Sequence, residues 1–211
     1  MKEKRIQFLI KRIIDFIVAL IGLTILSPLM LLVSILIKIN LGSPIIFKQE
    51  RPGYEEKVFC VYKFRTMMNA TDDKGNILPD HLRLTKLGII LRKLSLDEIP
   101  QLINVIKGEM SLVGPRPLLV RYLPYYTKKE RKRFDVRPGI TGLAQINGRN
   151  TSSWDERLAY DYMYVKKYSL ILDLKILILT LFKVFKSEGV VVDTSSIMLN
   201  LDEERGKNII E

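Results

Sequence analysis

The longest apolar run of the chain lies close to its N-terminus. Residues 16–37 contain no charged side chain, and a helix of that length, rising about 1.5 Å per residue, can cross the hydrocarbon core of a bilayer. Ser27 and Pro28 fall near its centre, where proline removes a backbone hydrogen bond. Basic residues flank both ends, so charge favours neither orientation. The pattern predicts either a proline-kinked transmembrane helix or a re-entrant hairpin whose break is satisfied by the Ser27 hydroxyl.

Two strands are predicted after this run. Residues 45–49 predict the first strand, residues 51–53 a turn, and residues 57–66 a second, half-buried strand in which apolar and polar side chains alternate. The alternation places Lys63 and Arg65 on one face. Such a face is either an ordinary solvated surface or one side of a groove that binds phosphate.

Hydrophobic patterning predicts helices in much of the remaining chain. The predicted helices cover residues 85–93, 99–106, 123–134, 154–167 and 170–185. The helix over residues 123–134 is predicted to be a basic surface helix. The helix over residues 170–185 is either a buried core helix or one that lies in a membrane interface. Residues 69–84 are polar and contain glycine and proline, which predicts a surface loop. From residue 187 the tail becomes polar and acidic, and we expect it to be loosely ordered.

Composition narrows the classes of function. The 211 residues suit one domain or a domain with an appendage, and 34 Lys and Arg stand against 23 Asp and Glu. Because the mean hydropathy is also positive, the balance indicates an anionic membrane surface or a phosphate-rich ligand, and no nucleic-acid partner. The single Cys60 and single His81 disfavour a disulfide framework, a cysteine or multi-histidine zinc site and a Ser-His-Asp triad. A reducing, cytoplasm-facing environment fits.

Two adjacent carboxylates, Asp97 and Glu98, precede the predicted helix over residues 99–106. The positive end of that helix and the nearby Arg92 favour their ionised forms. An ionised Asp can bind Mg²⁺ or attack an electrophilic phosphorus. The alternative is structural, since Ser95 and Glu98 have the spacing of a capping box and Asp is a common N-cap residue. On this segment alone the structural interpretation is favoured.

Two segments rich in glycine and proline carry further arginines. In residues 114–117 the prolines restrict the backbone on both sides of Arg116. A fixed guanidinium suits bidentate recognition of phosphate, whereas a stiff turn with an exposed arginine is the simpler interpretation. Residues 136–150 contain Arg137 and Arg149 among small residues, which predicts a loop where a ligand approaches the backbone closely.

Six motifs in series resemble the bacterial sugar transferases, the monotopic polyprenyl-phosphate phosphoglycosyl transferases. They extend over residues 7–190 in order and at the spacing of the family. The motifs are Lys11-Arg12 with Asp15 and Ser27-Pro28, Gly42-Ser43-Pro44, Tyr62-Lys63-Phe64-Arg65-Thr66-Met67, Leu94-Ser95-Leu96-Asp97-Glu98, Ser111-Leu112-Val113-Gly114-Pro115-Arg116-Pro117 and Arg137-Pro138-Gly139-Ile140-Thr141-Gly142. Within the family the likeness extends to enzymes that place N,N′-diacetylbacillosamine 1-phosphate on undecaprenyl phosphate, and to exopolysaccharide sugar transferases.

The resemblance implies a mostly helical α/β fold with a small sheet, in a monotopic membrane protein with interfacial amphipathic helices. It implies a basic head and re-entrant helix-break-helix over residues 1–40, with the break at Ser27 and Pro28. A catalytic domain over residues 41–190 would lie on the cytoplasmic face of the bacterial inner membrane, in contact with its lipids. Residues 191–211 would form the polar tail.

The resemblance also implies a two-step reaction that starts the synthesis of a membrane-linked N-glycan, capsule or exopolysaccharide. Asp97 would attack the sugar-bearing phosphate of a UDP-sugar and expel UMP, and undecaprenyl phosphate would then take the sugar phosphate from the aspartate. Mg²⁺ is the implied cofactor with Asp97 as its ligand, and Glu98 would assist with metal or proton. The implied phosphate and nucleotide ligands are Arg92, Arg116, Lys63, Arg65, Arg137 and Arg149.

Two other functions stay open at the level of sequence. A glycosyltransferase would move the sugar without its phosphate and release UDP, but the chain lacks the spaced Asp-x-Asp metal motif. A membrane-anchored scaffold would bind anionic lipid or polymer through its basic faces, but that function does not explain the paired acids or the fixed Arg116. One departure from the family is Leu143, where many relatives have tryptophan; it concerns a nucleotide or sugar contact and not the acid pair.

Overall fold

The structure, a computed structural model, describes residues 2–148, 153–185 and 199–207. Helix α1 (Lys2–Leu41) is followed by an antiparallel ribbon of β1 (Ile46–Pro52) and β2 (Val58–Phe64). The helices after the ribbon are α2 (Asp80–Arg83), α3 (Lys86–Lys93), α4 (Gln101–Lys107), α5 (Leu143–Asn147), α6 (Trp154–Lys167), α7 (Leu170–Phe185) and α8 (Leu201–Lys207). The short strands β3 (Ser111–Val113) and β4 (Gly139–Thr141) pair in parallel. The described part is mostly helical with little sheet, as predicted.

The strongest sequence patterns are confirmed. Helices α6 and α7 have the predicted bounds, and the two predicted strands are present as β1 and β2. Thr85 caps α3, where its hydroxyl accepts a hydrogen bond from the Gly88 N–H at 3.0 Å. Ser153 and Glu156 form a capping box at the start of α6. These elements are set by neighbours within one or two turns, which explains why periodicity and caps locate them.

Helix α1 runs through Pro28 without interruption. The predicted division into two helices at Ser27–Pro28 is therefore not present in the secondary structure. Pro28 lacks the N–H that would bond the Thr24 carbonyl, and the Ser27 hydroxyl donates to that carbonyl at 2.8 Å instead. Ile6–Leu41 is long and apolar enough to cross a membrane, and 11% of its most apolar window is buried in the fold. This exposed apolar surface associates the chain with a membrane.

Both halves of α1 contact the same folded domain. In the first half, the Arg12 guanidinium donates to the carbonyls of Val105 and Ile106 at 2.5 and 2.8 Å. At the C-terminal end, the Arg65 guanidinium donates to the carbonyl of Leu41. The helix therefore lies along the domain and is attached to it near both of its ends.

A buried polar cluster fixes the N-terminal half of α1 against β3 and α7. Asp15 accepts hydrogen bonds from the Ser111 hydroxyl at 2.7 Å and from the Leu112 N–H at 3.2 Å. Lys11 forms an ion pair with Asp173 at 2.6 Å. Each charge is buried but paired, which is the condition under which a protein interior tolerates it.

The predicted basic surface helix over residues 123–134 is wrong. Two 3-10 turns, Val120–Tyr125 and Glu130–Asp135, replace it, because a proline lies inside the first turn and extended backbone follows. Arg133 is also not on the surface. It is 3% exposed and forms a buried ion pair with Asp161 at 2.9 Å.

Part of the tail that we expected to be loosely ordered forms the packed helix α8. Leu201 is fully buried, and the Trp154 indole N–H donates to the carbonyl of Leu199 at 2.8 Å. Arg205 forms an ion pair with Glu130 at 2.7 Å. The prediction for residues 191–211 is thus wrong in this part, because the tail carries an apolar anchor that its polar composition hides. The rest of the tail lies outside the described residues.

Candidate active site

The two candidate acids lie in a 3-10 turn, Leu96–Glu98, that leads into α4. Helix α4 begins at Gln101, immediately after Pro100, so it starts two residues later than predicted. Ser95 has a left-handed backbone with a φ of 55° and makes no capping hydrogen bond. The structural interpretation of the pair as a capping box is therefore wrong.

Glu98 is the centre of an ionic cluster. Its Oε1 accepts hydrogen bonds from Lys63 Nζ at 2.6 Å and from Arg116 Nη2 at 2.7 Å. Burial disfavours the charged carboxylate, but the charges of Arg116 and Lys63 outweigh burial and lower the pKa of Glu98. Glu98 is therefore a fixed anion that positions two cations.

Asp97 has a different environment. It is 9% exposed, and in the part of the chain that the structure describes its carboxylate accepts no hydrogen bond. Burial and the neighbouring Glu98 raise its pKa, against the opposing charges of Lys63, Arg116 and Arg92. The sequence prediction that local cations favour the ionised form thus fits Glu98 and is wrong for Asp97, because burial depends on the whole fold.

Arg92 is held beside the acids by the close approach of α3 to the end of β2. Its Nε donates to the Thr66 hydroxyl at 3.1 Å. A Cβ atom on Gly88 would lie 2.0 Å from the Thr66 carbonyl oxygen, so a side chain there would force the helix outward. The charge of Arg92 acts on Asp97, and the site therefore depends on this contact.

Arg116 is positioned by two backbone segments that pack against each other. A Cβ atom on Gly114 would lie 2.4 Å from the Arg137 carbonyl oxygen, and one on Gly139 would lie 2.1 Å from the Gly114 nitrogen. We predicted that the loop over residues 136–150, which contains Gly139, admits a ligand to the backbone; in the structure Gly139 admits another backbone. The Arg116 carbonyl also accepts a hydrogen bond from buried Arg133 at 2.6 Å, which fixes the loop further.

The other predicted phosphate ligands are not joined to this cluster. Arg65 donates to the carbonyl of Leu41, at the end of α1. Arg137 Nε donates to the carbonyl of Gly108 at 2.8 Å, just after α4. Both guanidiniums therefore satisfy carbonyls that helix ends leave without a partner. Arg149 lies outside the described residues.

Sequence reasoning missed Asn104, which is fully buried in α4. Its side chain accepts from the Tyr62 N–H at 3.1 Å and donates to the Cys60 carbonyl at 2.7 Å. These bonds join α4 to β2 next to Lys63. The signal that was available is a polar residue inside an apolar helical run, because a buried amide has to be hydrogen-bonded.

An open cleft lies beside the Glu98 cluster. Its cavity volume is about 80 Å³, smaller than that of pockets that enclose a whole small-molecule ligand, so a ligand here would lie partly in solvent. Its lining includes Phe47, Gln49, Arg51, Lys63, Gln101 and Arg116. Arg51 was predicted only as part of a turn and Gln101 only as part of an apolar helix, and neither position carried a chemical signal in the sequence.

A magnesium ion at this site would have few ligands from the protein. Among the described residues, no group of three or more His, Cys, Asp or Glu side chains could hold a metal. Mg²⁺ does not need such a cage, because one or two carboxylates together with substrate phosphates and water usually bind it. Asp97, whose carboxylate accepts no hydrogen bond from the described residues, is the group that fits this role.

A family model described as bacterial sugar transferase matches residues 6–187, which includes every element of the site. The chain belongs to the bacterial sugar transferase family. It is therefore a transferase, and the family resemblance deduced from the six motifs is confirmed.

Relatives of this sugar transferase carry related names. It is 53% identical over 182 residues to the uncharacterized sugar transferase EpsL of Bacillus subtilis, covering 86% of this chain and 90% of EpsL. It is 42% identical to the exopolysaccharide production protein ExoY of Sinorhizobium fredii, covering 85% of this chain and 87% of ExoY. It is 41% identical to the UDP-glucose:undecaprenyl-phosphate glucose-1-phosphate transferase of Klebsiella pneumoniae, covering 85% of this chain but 41% of that protein.

Proposed function

We propose that this sugar transferase moves a sugar 1-phosphate from a UDP-sugar to undecaprenyl phosphate and releases UMP. One observation carries the proposal: a buried carboxylate without a hydrogen bond from the described residues, Asp97, lies next to a carboxylate that holds two cations, Glu98. Relatives named as UDP-glucose:undecaprenyl-phosphate glucose-1-phosphate transferases support the same donor and acceptor classes. The product would start a membrane-linked glycan.

In the proposed first step, an Asp97 oxygen forms a bond to the phosphorus that carries the sugar. The bond from that phosphorus to the bridging oxygen breaks, and UMP leaves with the electron pair. In the second step, a phosphate oxygen of undecaprenyl phosphate attacks the same phosphorus and displaces the Asp97 carboxylate. The product is undecaprenyl diphosphate sugar, and the carboxylate is regenerated.

The ionic cluster supplies fixed positive charge for these steps. Lys63 and Arg116 are oriented by Glu98 before a substrate arrives, so no reorganisation of solvent is needed when charge develops on the phosphate oxygens. Glu98 itself is less suited as the nucleophile, because Lys63 and Arg116 stabilise its anion and lower its pKa, which makes the carboxylate less reactive. Bound at Asp97, Mg²⁺ would neutralise further phosphate charge.

We also propose that α1, although continuous through Pro28, is re-entrant in the sense that both of its ends lie with the catalytic domain on the cytoplasmic face of the inner membrane. Between Arg12 and Leu41 a helix extends about 44 Å, more than the roughly 30 Å hydrocarbon core. The same domain contacts both positions, and a helix that crossed the bilayer upright would separate them. Helix α7 adds exposed apolar side chains, among them Ile171 and Phe182, which suit contact with the lipid acceptor.

Labelling of single cysteines tests this arrangement. In a Cys60→Ser background, a cysteine at Arg5 should react with an impermeant maleimide only from the cytoplasmic side, as should a control cysteine at Lys86 in α3. Reaction of the Arg5 position from the periplasmic side would refute the re-entrant helix and leave a transmembrane one.

The released nucleotide tests the reaction. The purified chain is incubated with undecaprenyl phosphate, Mg²⁺ and a panel of UDP-sugars that includes UDP-glucose, UDP-galactose, UDP-N-acetylglucosamine and UDP-N,N′-diacetylbacillosamine. Release of UMP with one of them is expected, and it identifies the sugar. Release of UDP would indicate glycosyl transfer, and release of neither nucleotide across the panel would support the scaffold function instead.

A further inference from the structure

The floor of the cleft beside Glu98 follows from the register of the ribbon. Side chains alternate across a strand, so Phe47, Gln49 and Arg51 of β1 share one face. Gln49 pairs with Val61 and Phe47 with Lys63, so Lys63 of β2 shares that face as well. The ribbon therefore presents Arg51 and Lys63 to the same cleft.

Arg51 carries a charge that no carboxylate among the described residues balances. It is partly buried, and its hydrogen bond there is to the neutral Gln49 side chain at 2.6 Å. Burial and the charge of Arg116 lower the pKa of Arg51 to about 10. A guanidinium placed partly out of water and near another cation is unfavourable without an anion. An anionic ligand in the cleft would supply that anion.

A second group in the cleft has an unused hydrogen-bonding atom. Gln101 is 2% exposed, and in the part of the chain that the structure describes its Nε2 has no hydrogen-bond partner. An unpaired buried amide costs free energy, so native proteins rarely leave one without a partner. Gln101 and Arg51 both line the cleft, and a bound ligand would give the amide a partner.

The donor has two phosphates, one that Asp97 would attack and one that would leave, and each needs cations in the site. Glu98, the neighbour of Asp97 in the chain, accepts hydrogen bonds from Lys63 and Arg116, whereas Arg51 donates to Gln49. Arg51 is thus the cation of this cleft that is not bound to the acid pair. Because the leaving oxygen lies in line with the attacking one, on the far side of the phosphorus, the departing phosphate needs a cation other than those held at the acid pair, and Arg51 is available for it.

We propose that this cleft is the subsite for the nucleoside monophosphate half of the donor, in which Arg51 binds the phosphate that leaves and Gln101 and Gln49 contact the nucleoside. Phe47 supplies an apolar face for the ring of the base. The inference rests on the proposed function, because it places UMP as the leaving group. It adds a substrate-binding role for Arg51 and Gln101.

Binding of two probes, UMP and uridine, to the full chain in detergent tests the subsite without turnover. In Arg51→Gln, the Kd for UMP should rise about 10- to 100-fold, the range of a lost charge-assisted hydrogen bond, while the Kd for uridine stays unchanged. Arg51→Lys keeps the charge without the planar fork of the guanidinium. Its Kd for UMP should therefore lie between those of the wild type and Arg51→Gln. Gln101→Leu should raise the Kd for UMP and the Kd for uridine.

A matched control removes a charge from the same ribbon. Lys57, whose side chain is 77% exposed and paired with Glu55, is replaced in Lys57→Gln, which should bind both probes as the wild type does. Circular dichroism and melting temperature show whether each variant is folded. A folded Arg51→Gln or Arg51→Lys that binds UMP with wild-type affinity overturns the proposal.

Two further results separate the subsite from the reaction. If Arg51→Gln keeps its UMP affinity but changes the preference among UDP-sugars, the cleft holds the sugar, and the subsite is refuted. If the wild type binds UMP through Arg51 but releases none during turnover, the subsite is supported and the proposed function is refuted instead.

Discussion

Asp97 and Glu98 are neighbours in the chain but differ in how they are held. Glu98 accepts hydrogen bonds from Lys63 and Arg116 through one oxygen, whereas Asp97 accepts none from the described residues. Burial raises the pKa of Asp97, and the two cations lower that of Glu98. Glu98 thus orients the two cations, whereas the Asp97 carboxylate is available to contact a phosphate.

The first prediction concerns this difference. Asp97→Asn should lower turnover by about 10⁶-fold, as removal of the nucleophile of a serine protease does, and should prevent the covalent sugar-phosphate adduct. The adduct is measured by mass spectrometry of intact protein after mixing with the UDP-sugar in the absence of acceptor. Asp80→Asn, at an exposed acid of α2, is the matched control. It should keep wild-type turnover and still form the adduct. A fully active Asp97→Asn enzyme is incompatible with the nucleophile assignment.

The second prediction concerns the contact that places Arg92. Gly88→Ala should destabilise the fold by roughly 1–3 kcal/mol, as overpacking does, because its Cβ would lie 2.0 Å from the Thr66 carbonyl oxygen. It should also lower kcat/KM, since α3 carries Arg92. Melting temperature and initial rates measure the two effects.

Gly206→Ala is the control, because the nearest atom to its Cβ is 4.0 Å away and alanine favours a helix. It should leave kcat/KM unchanged and keep or raise the melting temperature. If Gly88→Ala and Gly206→Ala have the same melting temperature and the same kcat/KM, the close contact at Gly88 is not needed for stability or activity.

The third prediction concerns the buried pair behind Arg116. Arg133→Met leaves Asp161 buried without its cation and should cost about 3–5 kcal/mol of unfolding free energy, the range for breaking a buried ion pair. The double variant Arg133→Met with Asp161→Leu should recover most of this loss. Lys132→Met, at a neighbouring exposed cation, should change stability little. Denaturant unfolding in detergent compares the four proteins, and an Arg133→Met variant as stable as Lys132→Met would contradict the prediction.

The fourth prediction concerns the pH dependence of α8 packing. Burial disfavours the Glu130 carboxylate, but hydrogen bonds from Arg205 and Thr127 outweigh burial and lower its pKa from 4.5 to about 2. A lowered folded pKa stabilises the packed helix above the unfolded pKa of 4.5, and this stabilisation is lost as pH falls from about 5 towards 2. Amide hydrogen exchange in α8, corrected for the intrinsic rate, should therefore become faster across this window.

Glu130→Gln removes the titrating group and should abolish this acid-induced change in exchange. Glu55→Gln, at an exposed acid paired with Lys57, should keep the wild-type pH dependence. If exchange in the wild-type α8 is independent of pH between 5 and 3, the pair does not control its packing.

Sequence predicted much of the scaffold because its signals are local. The alternation in residues 57–66 gives β2, and the apolar run over residues 170–185 gives α7. The sequence-based prediction was wrong where packing determines the structure, as in α8, whose buried Leu201 is followed by a run of charged residues. It was also wrong for Ser95, where a spacing that fits a capping box occurs with a left-handed backbone.

The sequence by itself determined the family and the position of the acid pair, and it predicted β1, β2, α3, α4, α6 and α7 to within a few residues, because motifs and periodicity depend on neighbouring residues. Only the tertiary structure decided which cations meet the acids. Lys63 is 35 positions from Glu98 and Arg116 is 18, whereas Arg65 and Arg137 satisfy carbonyls at helix ends. The energy of a charge depends on its distance from other charges and on its burial, and both quantities are fixed only when distant segments pack together.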